Sequence, residues 1–101
     1  MPARKLWIAF GQPADGVISI DPGARTALLA DGRSLLAVGV KRIDGTFEQG
    51  SAVEIHTLDS SLVGKGIVRL SSEELARSIR AARPEPSLVV IHRDDLVVLA
   101  D

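Results

Sequence analysis

The tripeptide His92-Arg93-Asp94 has the sequence that begins the catalytic loop of protein kinases, H-R-D-x-x-x-x-N. In that loop the Asp accepts the proton of the substrate hydroxyl and the Asn holds a metal ion. Here Leu99 occupies the position of the Asn, and the chain contains neither a G-x-G-x-x-G loop nor a D-F-G triplet. Because 101 residues are also too few for a two-lobed kinase, we interpret His92 to Asp95 as a polar turn between two apolar runs.

The other residues that could do chemistry are isolated along the chain. His56 and His92 lie in separate segments, and neither has a second ligand at a metal-binding spacing. Ser71 and Ser72 precede acidic residues, which is typical of a helix cap rather than of a nucleophile with its base. The sequence therefore predicts no catalytic residue, no metal site and no cofactor held by these residues.

The composition excludes several classes of function. Without cysteine the chain has no disulfide or thiolate metal site, which is compatible with the reducing cytoplasm where we expect it. The formal net charge is −1, so any nucleic-acid surface must be a local basic patch. Three aromatic residues, Trp7, Phe10 and Phe47, are too few for a base-stacking platform. No apolar run approaches the roughly eighteen residues that span a bilayer, so we expect a soluble protein with no membrane partner.

Two helices that must position these residues have clear boundary signals. The first is expected between Asp21, a typical N-cap, and Gly32, a typical left-handed stop, with Pro22 in its first turn. The second is expected to begin at Ser71, because Ser71 and Glu74 have the spacing of a capping box.

The second helix has an apolar stripe and a stop signal. Leu75, Ile79 and Ala82 are predicted to form its buried face. Pro84 prevents the helix from continuing.

Short strands account for most of the remaining chain. Asp44-Gly45 indicates a turn, and Gly64 and Gly66 fit a bulge or a close backbone approach within a strand. The predicted order is β, α, three or four β, α, β, β. It describes one α+β domain, mainly β, on a small mixed or barrel-like sheet.

Several segments together closely resemble the carboxy-terminal PUA domain of bacterial glutamate 5-kinases. The resemblance runs from Arg4 to Leu99, and its most specific parts are RKLWIA at 4–9, GRSLLAVGV at 32–40, GTFEQGSAV at 45–53, SSEEL at 71–75 and HRDDLVVL at 92–99. It implies a small mixed β-barrel with two short helices.

The resemblance also implies a parent enzyme. Such kinases transfer the γ-phosphoryl group of ATP, with Mg2+, to the side-chain carboxylate of L-glutamate, the first step of proline biosynthesis. Their amino-acid-kinase domain would precede Arg4, so we expect residues 1–15 to be a linker from that domain and residues 16–101 to be the PUA domain. Met1-Pro2-Ala3 would then start a piece cut at the domain boundary. ATP and Mg2+ belong to the parent, and none of its catalytic residues can be assigned here.

Two roles for this domain follow from the resemblance. The first is a noncatalytic regulatory module that contacts its own kinase domain or neighbouring subunits of a homo-oligomer. Trp7 and Phe10 lie in an apolar segment outside the strands and are the candidate interface residues.

The second role is binding to structured RNA. In RNA-modifying relatives, PUA domains contact RNA through the first helix with its preceding loop and through the last strand. Mapped onto this chain, Gly23 could let a phosphate backbone approach, and Arg25, Arg33 and Arg93 could neutralise it. The alternative is that these residues form an ordinary helix start and an ordinary soluble surface.

Overall fold

The computed structural model describes residues 2–83 and 85–100. Over these residues the chain forms seven strands and three α-helices. The elements are α1 (Ala3–Leu6), a π-helical turn (Trp7–Gly11), β1 (Gly16–Ile20), α2 (Pro22–Asp31), β2 (Leu35–Leu36), a 3-10 turn (Ala37–Gly39), β3 (Val40–Gly45), β4 (Ala52–Thr57), β5 (Leu62–Ile67), α3 (Ser72–Arg80), β6 (Val89–Ile91), a 3-10 turn (Arg93–Asp95) and β7 (Leu96–Val98). From β1 onward this is the predicted order, with four strands between α2 and α3.

The strands form two open sheets rather than the expected barrel. The larger sheet has the order β3-β1-β4-β5-β7, and β2 pairs with β6 in a second sheet of two strands. β1 is parallel to β4, and the other neighbours are antiparallel. Among the described residues β3 and β7 remain the two edges, so the larger sheet does not close. The β3–β4 connection is also not a hairpin, because β1 lies between the two strands.

The main core lies against the larger sheet. Most of its buried side chains are aliphatic, and Phe47 is the buried aromatic among them; the fully buried ones in strands and helices are Ile18, Ile20, Leu28, Leu35, Val53, Ile55, Val63, Leu75, Val90 and Ile91. At Gly64 an added Cβ would collide with the carbonyl oxygen of Val97, and at Gly66 it would lie 2.7 Å from Cγ2 of Ile91. The predicted close approach at these two glycines is therefore confirmed.

The predicted helix boundaries are confirmed except at one residue. Asp21 accepts a 2.7 Å hydrogen bond from the Ala24 N–H, and Gly32 ends α2 in the left-handed region with φ 59°. Ser71 and Glu74 form both hydrogen bonds of the capping box, each 3.1 Å long. Ala82 was wrongly predicted to be buried, because α3 ends at Arg80 and Ala82 is exposed beyond it. Pro84, the predicted stop, lies outside the described residues.

A third helical segment precedes β1, and the sequence did not predict it. We call residues 3–12 the N-terminal arm. Its Ile8 is fully buried and packs with Ala9 against Val97 of β7. Arg4 forms an ion pair with Asp95, with 2.5 Å between Nη2 and Oδ1. The arm is thus attached to the β7 end of the larger sheet.

No helix in the described part of the chain is long and apolar enough to cross a membrane.

Candidate functional site

A cleft beside β7 collects three basic side chains. Lys5 of the arm, Arg33 after α2 and Arg93 before β7 line it, and we call it the basic cleft. Its volume is about 240 Å³. Gly32 and four apolar residues complete the lining: Leu28, Leu96, Val97 and Val98.

Local hydrogen bonds hold the two arginines of the basic cleft at their positions. The left-handed turn at Gly32 directs the chain out of α2, and the N–H of Arg33 donates to the Ala27 carbonyl at 3.1 Å. The N–H of Arg93 donates to Oγ of Ser34 at 2.8 Å. This second bond ties the β6–β7 connection to the loop after α2. The two arginines, 60 positions apart in sequence, therefore line one cleft.

The basic cleft carries an excess of positive charge. None of its lining residues is acidic, and within residues 2–83 and 85–100 no carboxylate lies within 4.0 Å of the charged groups of Lys5, Arg33 or Arg93. The two acids that follow Arg93 have other partners. Asp95 pairs with Arg4, and Asp94 lies 3.5 Å from Nδ1 of His92. Asp31 is the acid that lines the neighbouring cleft with Arg33 and Arg93. An anion is the ligand that such an arrangement favours.

The structure separates the other two candidate RNA-binding residues from this cleft. Gly23 lines an apolar groove between α2 and β2, and Arg33 lines the same groove. Arg25 lies on a third depression, with Leu58 and Asp59 of the β4–β5 turn. The four predicted residues thus do not line one cleft: Arg33 shares the basic cleft with Arg93 and the apolar groove with Gly23, whereas Arg25 lines a different depression.

Lys5 was missed because no local pattern marks it. Its position in the cleft depends on how the arm packs against β7. Ser34 was missed for the same reason, since its role is a contact with a residue 59 positions away.

The candidate interface residues lie on the outer side of the arm. Trp7 is 53% exposed and Phe10 is 76% exposed, whereas the neighbouring Ile8 is fully buried. Leu6 is also exposed. We call Leu6, Trp7 and Phe10 the apolar face. The ring of Trp7 lies over Gly11, where an added Cβ would be 2.9 Å from its Cδ1.

The histidines and serines have structural partners. His56 lies 2.9 Å from Glu54, and His92 accepts a hydrogen bond from the Asp94 N–H at 3.0 Å. Among the described residues no group of three or more His, Cys, Asp or Glu is placed to hold a metal ion. The hydrogen bonds from Ser71 lower the pKa of Glu74, which is the behaviour of a capping carboxylate.

Three comparisons with known proteins bear on this arrangement. A family model described as PUA domain matches residues 16–85. A protein of Streptococcus suis named glutamate 5-kinase is 46% identical over 100 residues, which is 98% of this chain and 27% of that protein. The chain therefore spans about a quarter of the length of that curated relative.

Two solved structures are similar in fold. A PUA domain of Aeropyrum pernix K1, crystallised with tartrate, has a TM-score of 0.65 and 29% identity, with 78% of this chain and 43% of that chain covered. A chain of an archaeal box H/ACA sRNP complex has a TM-score of 0.58 and 26% identity, with 78% and 25% covered.

Proposed function

The chain belongs to the PUA domain family, and we propose that it is the PUA domain of a glutamate 5-kinase, in which it acts as a noncatalytic interaction module. The match to the Streptococcus suis relative supports this assignment, because it covers 98% of the chain, whereas the family model begins at residue 16. The similarity thus includes the arm that precedes the PUA match. In this proposal ATP, Mg2+ and glutamate bind to the kinase domain of the longer protein, and no residue of this chain touches them.

The main observation in support of the proposed role is that the arm has a buried side and an exposed apolar side. Ile8 anchors the arm on β7, while Trp7 and Phe10 are held outward on the same short segment. Large apolar side chains that are grouped and exposed at the surface are typical of protein contacts. The apolar face is proposed to contact the kinase domain or a neighbouring subunit, and through that contact to influence assembly and feedback inhibition by proline.

Alanine substitution in the full-length kinase tests this role. Trp7→Ala is expected to change the oligomeric state or the proline concentration that halves activity, because truncating a buried interface aromatic costs about 2 kcal/mol or more. Sedimentation analysis and glutamate-dependent ADP release with a proline titration measure the two effects. Leu58→Ala is the matched control, since Leu58 is 47% exposed but lies in the β4–β5 turn. If Trp7→Ala, Phe10→Ala and Leu58→Ala all behave as the wild type, the apolar face is not the interface.

RNA binding is the second candidate function, and the basic cleft favours it. One similar structure comes from an archaeal ribonucleoprotein, and the basic cleft lies between the end of α2 and β7. Three neutralised phosphates would give a logarithmic salt slope near −2.7, which is about a fortyfold loss of affinity between roughly 50 and 200 mM salt. Binding of a structured RNA tighter than about micromolar at physiological salt, abolished by Arg33→Glu, would favour RNA over the interaction role.

A further inference from the structure

Because Lys5 lies in the basic cleft, a ligand bound there can join the N-terminal arm to the rest of the domain. The arginines of the cleft belong to the PUA sheet and its helix, whereas Lys5 belongs to the arm. A ligand that contacts all three cations therefore bridges the arm and the rest of the domain.

The arm changes the charge of the basic cleft in two ways. Lys5 adds one positive charge directly. Arg4 pairs with Asp95, which lies two residues after Arg93, and so neutralises a nearby carboxylate that would otherwise compete with an anion. Both contributions to the charge of the cleft depend on the docked arm, because Arg4 and Lys5 belong to it.

The chemistry of the basic cleft selects the class of ligand. Two guanidinium groups and one ammonium group match a phosphate group, which near pH 7 carries about one to two negative charges and at least two free acceptor oxygens. Leu28, Leu96 and Val97 contribute apolar side chains to the lining, so they bring no acceptor that competes with the anion. At about 240 Å³ the cleft is smaller than the pockets that hold drug-sized ligands and suits one phosphate group with a small substituent.

We propose that the basic cleft binds a phosphate group and that this binding fixes the N-terminal arm on β7. Because linkage is reciprocal, a phosphate that binds better when the arm is docked must also favour the docked arm by the same factor. The arm carries the apolar face, so phosphate occupancy would control how that face is presented. Only this last consequence rests on the proposed function, since the binding and the coupling are properties of the chain itself.

Titration of the chain with inorganic phosphate, at constant ionic strength set by chloride, tests the proposal. We expect saturable binding, with affinity reduced roughly tenfold by Lys5→Gln or Arg33→Gln, since each removes a hydrogen bond to a charged group. Arg4→Gln is expected to weaken binding severalfold although Arg4 does not line the cleft. Arg80→Gln is the matched control, because Arg80 is an exposed arginine at the end of α3, and it is expected to bind as the wild type does.

Amide hydrogen exchange gives the readout of the coupling. Phosphate is expected to slow exchange in residues 6–11 of the wild type but not of Lys5→Gln. A phosphate affinity that is equal in the wild type, Lys5→Gln and Arg80→Gln would overturn the proposal, and so would binding that leaves exchange in the arm unchanged. Both measurements use this chain without the kinase domain. A negative result here therefore leaves the proposed function, which is tested in the full-length kinase, unaffected.

A structured RNA without terminal phosphates distinguishes the two sources of the phosphate group. If the RNA competes with inorganic phosphate and Lys5→Gln weakens RNA binding, the proposed site is supported and its ligand is a phosphate of the RNA backbone. If inorganic phosphate binds and the RNA does not compete, the site stands and its ligand is a small phosphate. If inorganic phosphate does not bind and the RNA binds the wild type and Lys5→Gln equally well, the proposal is wrong.

Discussion

The N-terminal arm and α3 are both short helical segments with one fully buried aliphatic side chain, yet they are held in different ways. α3 has a complete capping box, acidic residues in its first turn and basic residues in its last turn. The arm begins at Pro2 without a side-chain cap, has no acid in its first turn, and buries nothing until Ile8. The helical form of α3 is thus supported by its own sequence, whereas the arm depends on contacts with β7.

The difference indicates where the domain can respond to a partner or ligand. Leu75 joins the main core, but Ile8 joins a small separate cluster with Ala9 and Val97. Segments with few buried contacts open at low free-energy cost, while core elements open only when the whole domain unfolds. We therefore expect the arm to be the responsive part of the domain and α3 the fixed part. Three substitutions test this difference between the arm and α3.

The largest effect is expected from Leu75→Ala. Removing a fully buried leucine from the main core leaves a cavity and should lower the free energy of unfolding by about 3 kcal/mol. Urea unfolding followed by far-UV circular dichroism measures the loss, and the transition should remain cooperative. Leu58→Ala, at an exposed position, should change stability by less than about 0.5 kcal/mol. A loss below about 1 kcal/mol for Leu75→Ala would mean that α3 is not part of the main core.

A smaller effect on global stability is expected from Ile8→Ala. The arm can detach without opening the main core, so the loss in unfolding free energy should be limited to about 1–2 kcal/mol. The fluorescence of Trp7, the single tryptophan, should change at a lower urea concentration than the circular dichroism does. In the wild type the two signals should coincide. Coincident transitions in Ile8→Ala, with a loss as large as that of Leu75→Ala, would place the arm within the main cooperative unit.

The smallest effect is a pH dependence confined to the start of α3. Hydrogen bonds from the N–H and the hydroxyl of Ser71 lower the pKa of Glu74 from its ordinary value of 4.5. A lowered pKa means that the contribution of Glu74 to stability is complete above the unfolded-state pKa and is lost as the pH falls through the folded-state pKa.

Glu74→Gln isolates this contribution, because glutamine keeps the capping acceptor but does not titrate. The difference in unfolding free energy between the wild type and Glu74→Gln should be nearly constant above about pH 5 and should shrink toward pH 3. Equilibrium urea unfolding at several pH values measures it. A difference that is the same at pH 3 and pH 7 would show that the capping carboxylate is not ionised preferentially in the folded state.

The candidate site was only partly predictable. The resemblance directed attention to the end of α2 and to β7, and Arg33 and Arg93 do line one cleft there. It also grouped Gly23 and Arg25 with them, although Arg25 faces the β4–β5 turn at the opposite end of α2. Arg25 lies in the first turn of α2 and Arg33 follows the end of the helix, so about 12 Å of helical rise separates their backbones and each lines a different depression.

The local features of this protein were predictable from its residues: where α2 and α3 begin, where α2 ends, and which strand glycines must allow a close approach. These features depend on hydrogen bonds over three or four residues and on backbone angles of single residues, so their signals lie side by side in the chain. Three other features depend on long-range packing: the larger sheet stays open, β1 separates β3 from β4, and the arm lies on β7. The contacts responsible join residues 59 positions apart at Ser34 and Arg93 and 91 positions apart at Arg4 and Asp95. No local pattern encodes such a pairing, because it depends on how every intervening element packs.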